Sequence, residues 1–141
     1  MNTTTLVTLL QLAALSHLGL LWAGASMPKA VNLHDTLLPL PPFIRRLFYV
    51  YFGFIGFILA GFGLLTFVYA APMASGEPVA RGLCVLLAAF WSIRLIVAAL
   101  VFDVRPYLRN TFHRLGYAAL NTVFVYLVIL YVYVAWKGGQ A

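Results

Sequence analysis

Acidic residues are almost missing from this sequence: three in 141 positions, Asp35, Glu77 and Asp103, against nine Lys and Arg. Asp35 and Glu77 fall in connections and Asp103 at the very end of an apolar run. A proton relay built on an intramembrane carboxylate is therefore not expected, and with it a proton-coupled pump. Cysteine is scarcer still. The single Cys84 excludes an intramolecular disulfide, a CxxC metal site and a zinc ribbon. Charged residues of both signs make up only 9% of the chain while 64% is hydrophobic, and the mean hydropathy is +0.98. A soluble domain of this size needs a polar surface that so few charges cannot supply, so the chain must use lipid as its solvent. The formal charge of +6 does not argue for a nucleic-acid partner, because the basic residues sit in short segments between apolar runs, where they carry topology information.

What the sequence does contain is four apolar runs long enough to cross a bilayer, at about 5–24, 47–71, 83–104 and 117–136. They predict an all-α integral membrane protein, a single domain in the form of an antiparallel four-transmembrane-helix bundle. The first run, followed by Ala23-Gly24-Ala25, imitates a signal peptide. It lacks a basic residue ahead of it and Lys29, Arg45 and Arg46 come after it, so it is expected to be retained as a span. Residues 25–46 hold four prolines and are expected to form an interfacial loop. Lys29, Arg45, Arg46, Arg105, Arg109 and Arg114 fall in the first and third connections, and only Arg81 and Lys137 on the opposite side. Six against two places loops 25–46 and 105–116 in the cytoplasm and both termini outside, in an inner or plasma membrane. No internal repeat supports an inverted-repeat transporter.

Arg94 stands near the middle of the third run. A guanidinium facing lipid costs at least ~3 kcal/mol, so the other helices have to shelter it. Trp91, one turn away, is the expected cation-π partner, and Asn121 or a tyrosine the expected hydrogen-bonding one. In the second run Gly53, Gly56, Ala60 and Gly63 recur at steps of three, four and three, with Tyr49 at the head of the same face. Such a small-residue stripe lets another helix approach closely, either within the chain or in a homo-oligomer or partner membrane subunit. Tyr131, Tyr133 and Trp136 read as an aromatic belt at the membrane interface.

The expected topology collects His17, His34 and His113 with Asp35 and Asp103 toward the cytoplasmic side. Imidazole and carboxylate together suit zinc, iron or copper, so these five are candidate ligands of a divalent metal. A haem between His17 and His113, with Arg94 on a propionate, is a variant of the same idea. The spacing matches no HExxH-type helix motif. Ser92 and Cys84 have no histidine at a nucleophile's spacing. With packing features rich and catalytic ones sparse, the chain is expected to be a non-catalytic accessory subunit or a module that binds lipid or a partner. Two alternatives stay open. One is a metal- or haem-dependent membrane oxidoreductase acting on a quinone or lipid, with Arg94 or Tyr49 orienting it. The other is a small-solute transporter or channel lined by Arg94, Asn121 and Thr122.

Overall fold

A computed structural model describes Met1 to Gln140. Its helices are α1 (Thr3–Ala30), α2 (Leu33–Leu37), α3 (Pro42–Val68), α4 (Ala70–Ser75), α5 (Pro78–Leu100) and α6 (Thr111–Gly138), with one 3-10 turn at Arg105–Tyr107 and no strand among the described residues. The protein is an all-helical membrane bundle. α1, α3, α5 and α6 are each long and apolar enough to span a bilayer.

All four helices start before the expected spans; α1 and α6 also end beyond them while α3 and α5 end short of them, and proline explains the early starts of α3 and α5. Pro42 and Pro78 stand at the first position of α3 and α5. There the missing N–H would have had no intrahelical partner, so proline starts a helix instead of breaking one. Pro28 is carried inside the last turn of α1, and the helix stops only at Ala30, two residues before Asn32 turns left-handed at φ 48°. Residues 25–46 are therefore not one interfacial loop. They hold the end of α1, the five-residue α2 and the start of α3. α6 likewise begins at Thr111, six residues before the expected start.

The four spanning helices alternate in direction. Both chain ends and the α4–α5 turn meet at one end, called here the terminal end; residues 31–41 and 101–110 form the loop end. At the terminal end Lys137 Nζ donates to the Met1 carbonyl at 2.9 Å, and Arg81 Nε donates to the Ala135 carbonyl at 3.1 Å. Gly76 ends α4 with φ 81° and lies so close to α6 that a Cβ there would stand 2.9 Å from Gly138 Cα. Only glycine meets both demands.

α1 packs chiefly on α3 and α5 chiefly on α6, while α4 wedges between α1 and α6. The two pairs are thus joined along the terminal half, where most buried side chains lie: Leu6, Leu10 and Ala13 of α1, Cys84 and Leu87 of α5, Leu127, Leu130 and Val134 of α6. α3 buries only Gly63 and Thr66, both near its terminal end. Only the Gly63 end of the small-residue stripe therefore reaches the bundle centre. Gly63 meets α1 tightly, Gly56 just touches Leu21, and Gly53 faces open space. Ala60 is exposed beside a cavity of about 210 Å³ between α1 and α3.

Candidate functional site

Each spanning helix sends one side chain with a polar atom to a common point at the bundle centre. They are His17 from α1, Thr66 from α3, Trp91 from α5 and Tyr131 from α6, all 0–1% exposed. His17 reaches this point because Gly63 opposite it has no side chain; a Cβ at Gly63 would lie 2.9 Å from that of His17. α1 can approach α3 that closely only over glycine.

The hydrogen bonds of this cluster define its chemistry. His17 Nδ1 lies 2.7 Å from the Ala13 carbonyl. A carbonyl only accepts, so the ring proton is assigned to Nδ1, and Nε2 becomes the acceptor of the neutral imidazole. Nε2 itself is buried and without a partner, as is Trp91 Nε1. The two rings stand edge to face, their centroids 5.3 Å apart. Thr66 and Tyr131 share a hydroxyl–hydroxyl bond of 2.8 Å, and Tyr126 donates to the Leu9 carbonyl at 2.6 Å. Both bonds tie the α1–α3 pair to the α5–α6 pair.

Tyr131 was expected in an interfacial belt. The extension of α6 to Gly138 puts it two turns inside the helix, where its hydroxyl needs a buried partner and finds Thr66. Removing one hydroxyl strands the other, so Thr66→Val and Tyr131→Phe should each cost about 1–2 kcal/mol, and the double variant less than their sum. A double-mutant cycle in denaturing-detergent unfolding checks this.

Arg94 lies one turn beyond Trp91, toward the loop end. Its guanidinium carbon is 5.4 Å from the ring centroid of Phe124 and 5.4 Å from that of Phe102. The expected partner Trp91 is not involved: its indole is committed to His17, Phe90 and Phe124. Phe102, from beyond the end of α5, folds back over the guanidinium instead. Asn121 does not reach Arg94 either, because its amide donates to the Tyr117 carbonyl of its own helix at 3.1 Å. Thr122 is similarly turned onto Ala118. Arg94 is half-buried, and its Nη1 is buried with no hydrogen-bond partner. Phe124 touches both Trp91 and the guanidinium, so it joins the central cluster to Arg94.

The proposed metal ligands do not converge. His17 sits at the midpoint of the lengthened α1, not toward the loop end, and is walled in by Trp91 and Tyr131. His34 and Asp35 lie exposed on α2. Asp103 accepts the backbone N–H of Arg105 at 3.1 Å. His113, in the first turn of α6, packs against Phe112. Among the described residues no three His, Cys, Asp or Glu side chains are grouped so as to hold a metal ion. Tyr49 is exposed on the loop half of α3. Sequence reasoning missed Phe102, Phe124, Thr66 and Tyr126. The signal for Thr66 was present, since a hydroxyl in the apolar end of a span implies a partner across a helix interface.

Comparison with protein-family models, with curated proteins and with solved structures finds no match.

Proposed function

We propose that this chain is a non-catalytic membrane binding module whose Arg94 holds the anionic headgroup of a phospholipid. The observation that carries this is the guanidinium of Arg94, half-buried among apolar rings and without an ion-pair partner, its Nη1 left with no hydrogen bond. A cation in an apolar setting needs an anion, and the chain supplies none: Asp35 lies on α2, Glu77 precedes α5 and Asp103 is spent on a backbone N–H. Arg94 is six residues from the end of α5, ~9 Å along the axis, which is within reach of a lipid phosphate drawn slightly below the headgroup level. The rings of Phe102 and Phe124 hold the guanidinium plane in place. Arg105, Arg109 and Arg114 at the same end raise the local concentration of anionic lipid. By the excess of basic residues, the loop end faces the cytoplasm and both termini lie outside, in an inner or plasma membrane.

Native mass spectrometry of protein extracted in mild detergent tests this. The wild type should retain anionic phospholipid, and Arg94→Gln should lower retention about 10- to 100-fold, as loss of a charge-assisted hydrogen bond worth about 1.5–3 kcal/mol implies. Equal retention by the two would remove the proposal's support.

A second reading, a metal- or haem-dependent oxidoreductase, draws on one observation. His17 Nδ1 is fixed on a backbone carbonyl with Nε2 left unpartnered, the arrangement found in metal-ligating histidines. An absorption spectrum and elemental analysis of the purified protein separate the two: a Soret band or stoichiometric metal that His17→Ala abolishes would favour this reading.

A further inference from the structure

The two rings on Arg94 differ in how they are held. Phe124 belongs to the middle of α6, is 4% exposed and packs on Trp91 at 5.4 Å, so it is a fixed wall. Phe102 lies two residues past the end of α5, on a stretch of connection outside any helix, and is 52% exposed. Its backbone N–H reaches the Val97 carbonyl at 3.3 Å, an acceptor already taken by the Val101 N–H at 2.9 Å. Just beyond it the chain closes into a turn of its own: Asp103 accepts the Arg105 N–H at 3.1 Å, and the Tyr107 N–H donates to the Val104 carbonyl at 2.9 Å. The tethers of Phe102 are therefore weak. One is a long hydrogen bond to a shared acceptor; the other is the contact with the guanidinium, whose 5.4 Å is close to the outer limit of about 6 Å for such pairs. Arg94 is set six residues inside α5, and the ring of Phe102 comes to it from the loop end, so it stands on the approach from the headgroup level.

We propose that Phe102 is the lid of the Arg94 site: it swings aside to admit an anionic phospholipid headgroup and closes again over the bound phosphate. The inference rests on the reading of Arg94 as a headgroup site. Opening gives up one shared hydrogen bond and one cation-π contact, while Phe124 and the central cluster stay in place. With the lid closed in both the free and the loaded protein, headgroups enter and leave only through the open fraction. Phe102 then sets exchange rates more than affinity.

The test follows phosphatidylglycerol with a pyrene-labelled chain by energy transfer from the three tryptophans, in stopped flow with lipid-stripped protein in mild detergent. Dissociation is read by chasing with unlabelled lipid. Phe102→Ala is expected to speed association and dissociation alike by about 3- to 30-fold, the factor that release of a cation-π contact implies, while their ratio holds. Phe102→Tyr should restore both rates. Unchanged association in Phe102→Ala would make the ring a fixed wall and overturn the lid, whatever dissociation does; a like acceleration with pyrene-labelled phosphatidylcholine would overturn it too. Arg94→Gln, run beside it, isolates the other failure. If that variant binds phosphatidylglycerol as the wild type does, the headgroup reading falls and the lid with it. A fluorine on the ring of Phe102 in the otherwise unchanged protein gives a readout that needs no truncation. Its resonance should shift on adding phosphatidylglycerol and stay put with phosphatidylcholine; no shift with either would equally overturn the lid.

Discussion

Truncating Phe124 to alanine is expected to destabilise the bundle by about 3 kcal/mol, at the lower end of the range for aromatic truncation. Phe124 is 4% exposed, packs against Trp91 at 5.4 Å and carries Arg94 on its ring. In water such a change forfeits both packing and the exclusion of solvent; in a membrane, lipid tails are as apolar as the side chain removed, so the packing loss dominates. The same change takes away one wall of the guanidinium's slot. Stability and retention of anionic lipid should therefore fall together. Phe124→Leu separates the effects, since it keeps most of the volume and removes only the ring. Cys84 provides the stability readout. It is the sole cysteine and fully buried in the core, so pulsed alkylation under increasing denaturant reports opening of the bundle.

Gly63→Leu is expected to cost about 1–3 kcal/mol by overpacking. The first added carbon would meet His17 Cβ at 2.9 Å and the Ala14 carbonyl at 3.4 Å, and neither belongs to the free end of a flexible chain. α1 and α3 must then separate, which draws His17 out of the centre and disturbs Trp91 and Tyr131. Gly53→Ala, in the same stripe, should be neutral or stabilising by up to about 1 kcal/mol, because nothing lies within 4 Å of the new methyl and alanine favours the helix. Cys84 alkylation of the two variants checks the contrast. Equal effects would mean that the stripe packs along its whole length.

That contrast also marks how far the sequence carried. The four spans and their alternation were legible, because long apolar runs and the placement of Lys and Arg follow from the bilayer itself. The stripe was legible as a pattern, yet its spacing does not say which end has a helix against it. That depends on how α1 leans, and only Gly63 receives the close contact. Helix ends were misjudged where proline was read as a breaker at Pro42, the first position of α3, where it starts the helix. One consequence was displacement of the histidines and tyrosines: with α1 ending at Ala30 and α6 at Gly138, His17 and Tyr131 become central residues. Arg94 was recognised from its chemistry, since a lone cation in an apolar run demands shelter. Its actual neighbours come from a connection and from another helix, eight and thirty positions away in sequence, and no helical periodicity relates them.

The central claim is that Arg94 holds an anionic lipid headgroup. Its most direct test is a competitive lipid-binding titration by native mass spectrometry, offering phosphatidylglycerol and phosphatidylcholine of matched chains to wild type and to Arg94→Gln. Both proteins must first show protected Cys84. The account predicts that the wild type prefers the anionic lipid, that Arg94→Gln loses the preference about tenfold or more, and that the difference persists at raised salt because the guanidinium is half-buried among apolar rings. Preservation of the preference in Arg94→Gln, or its disappearance at raised salt in the wild type, would assign selectivity to the exposed arginines of the loop end and contradict the claim.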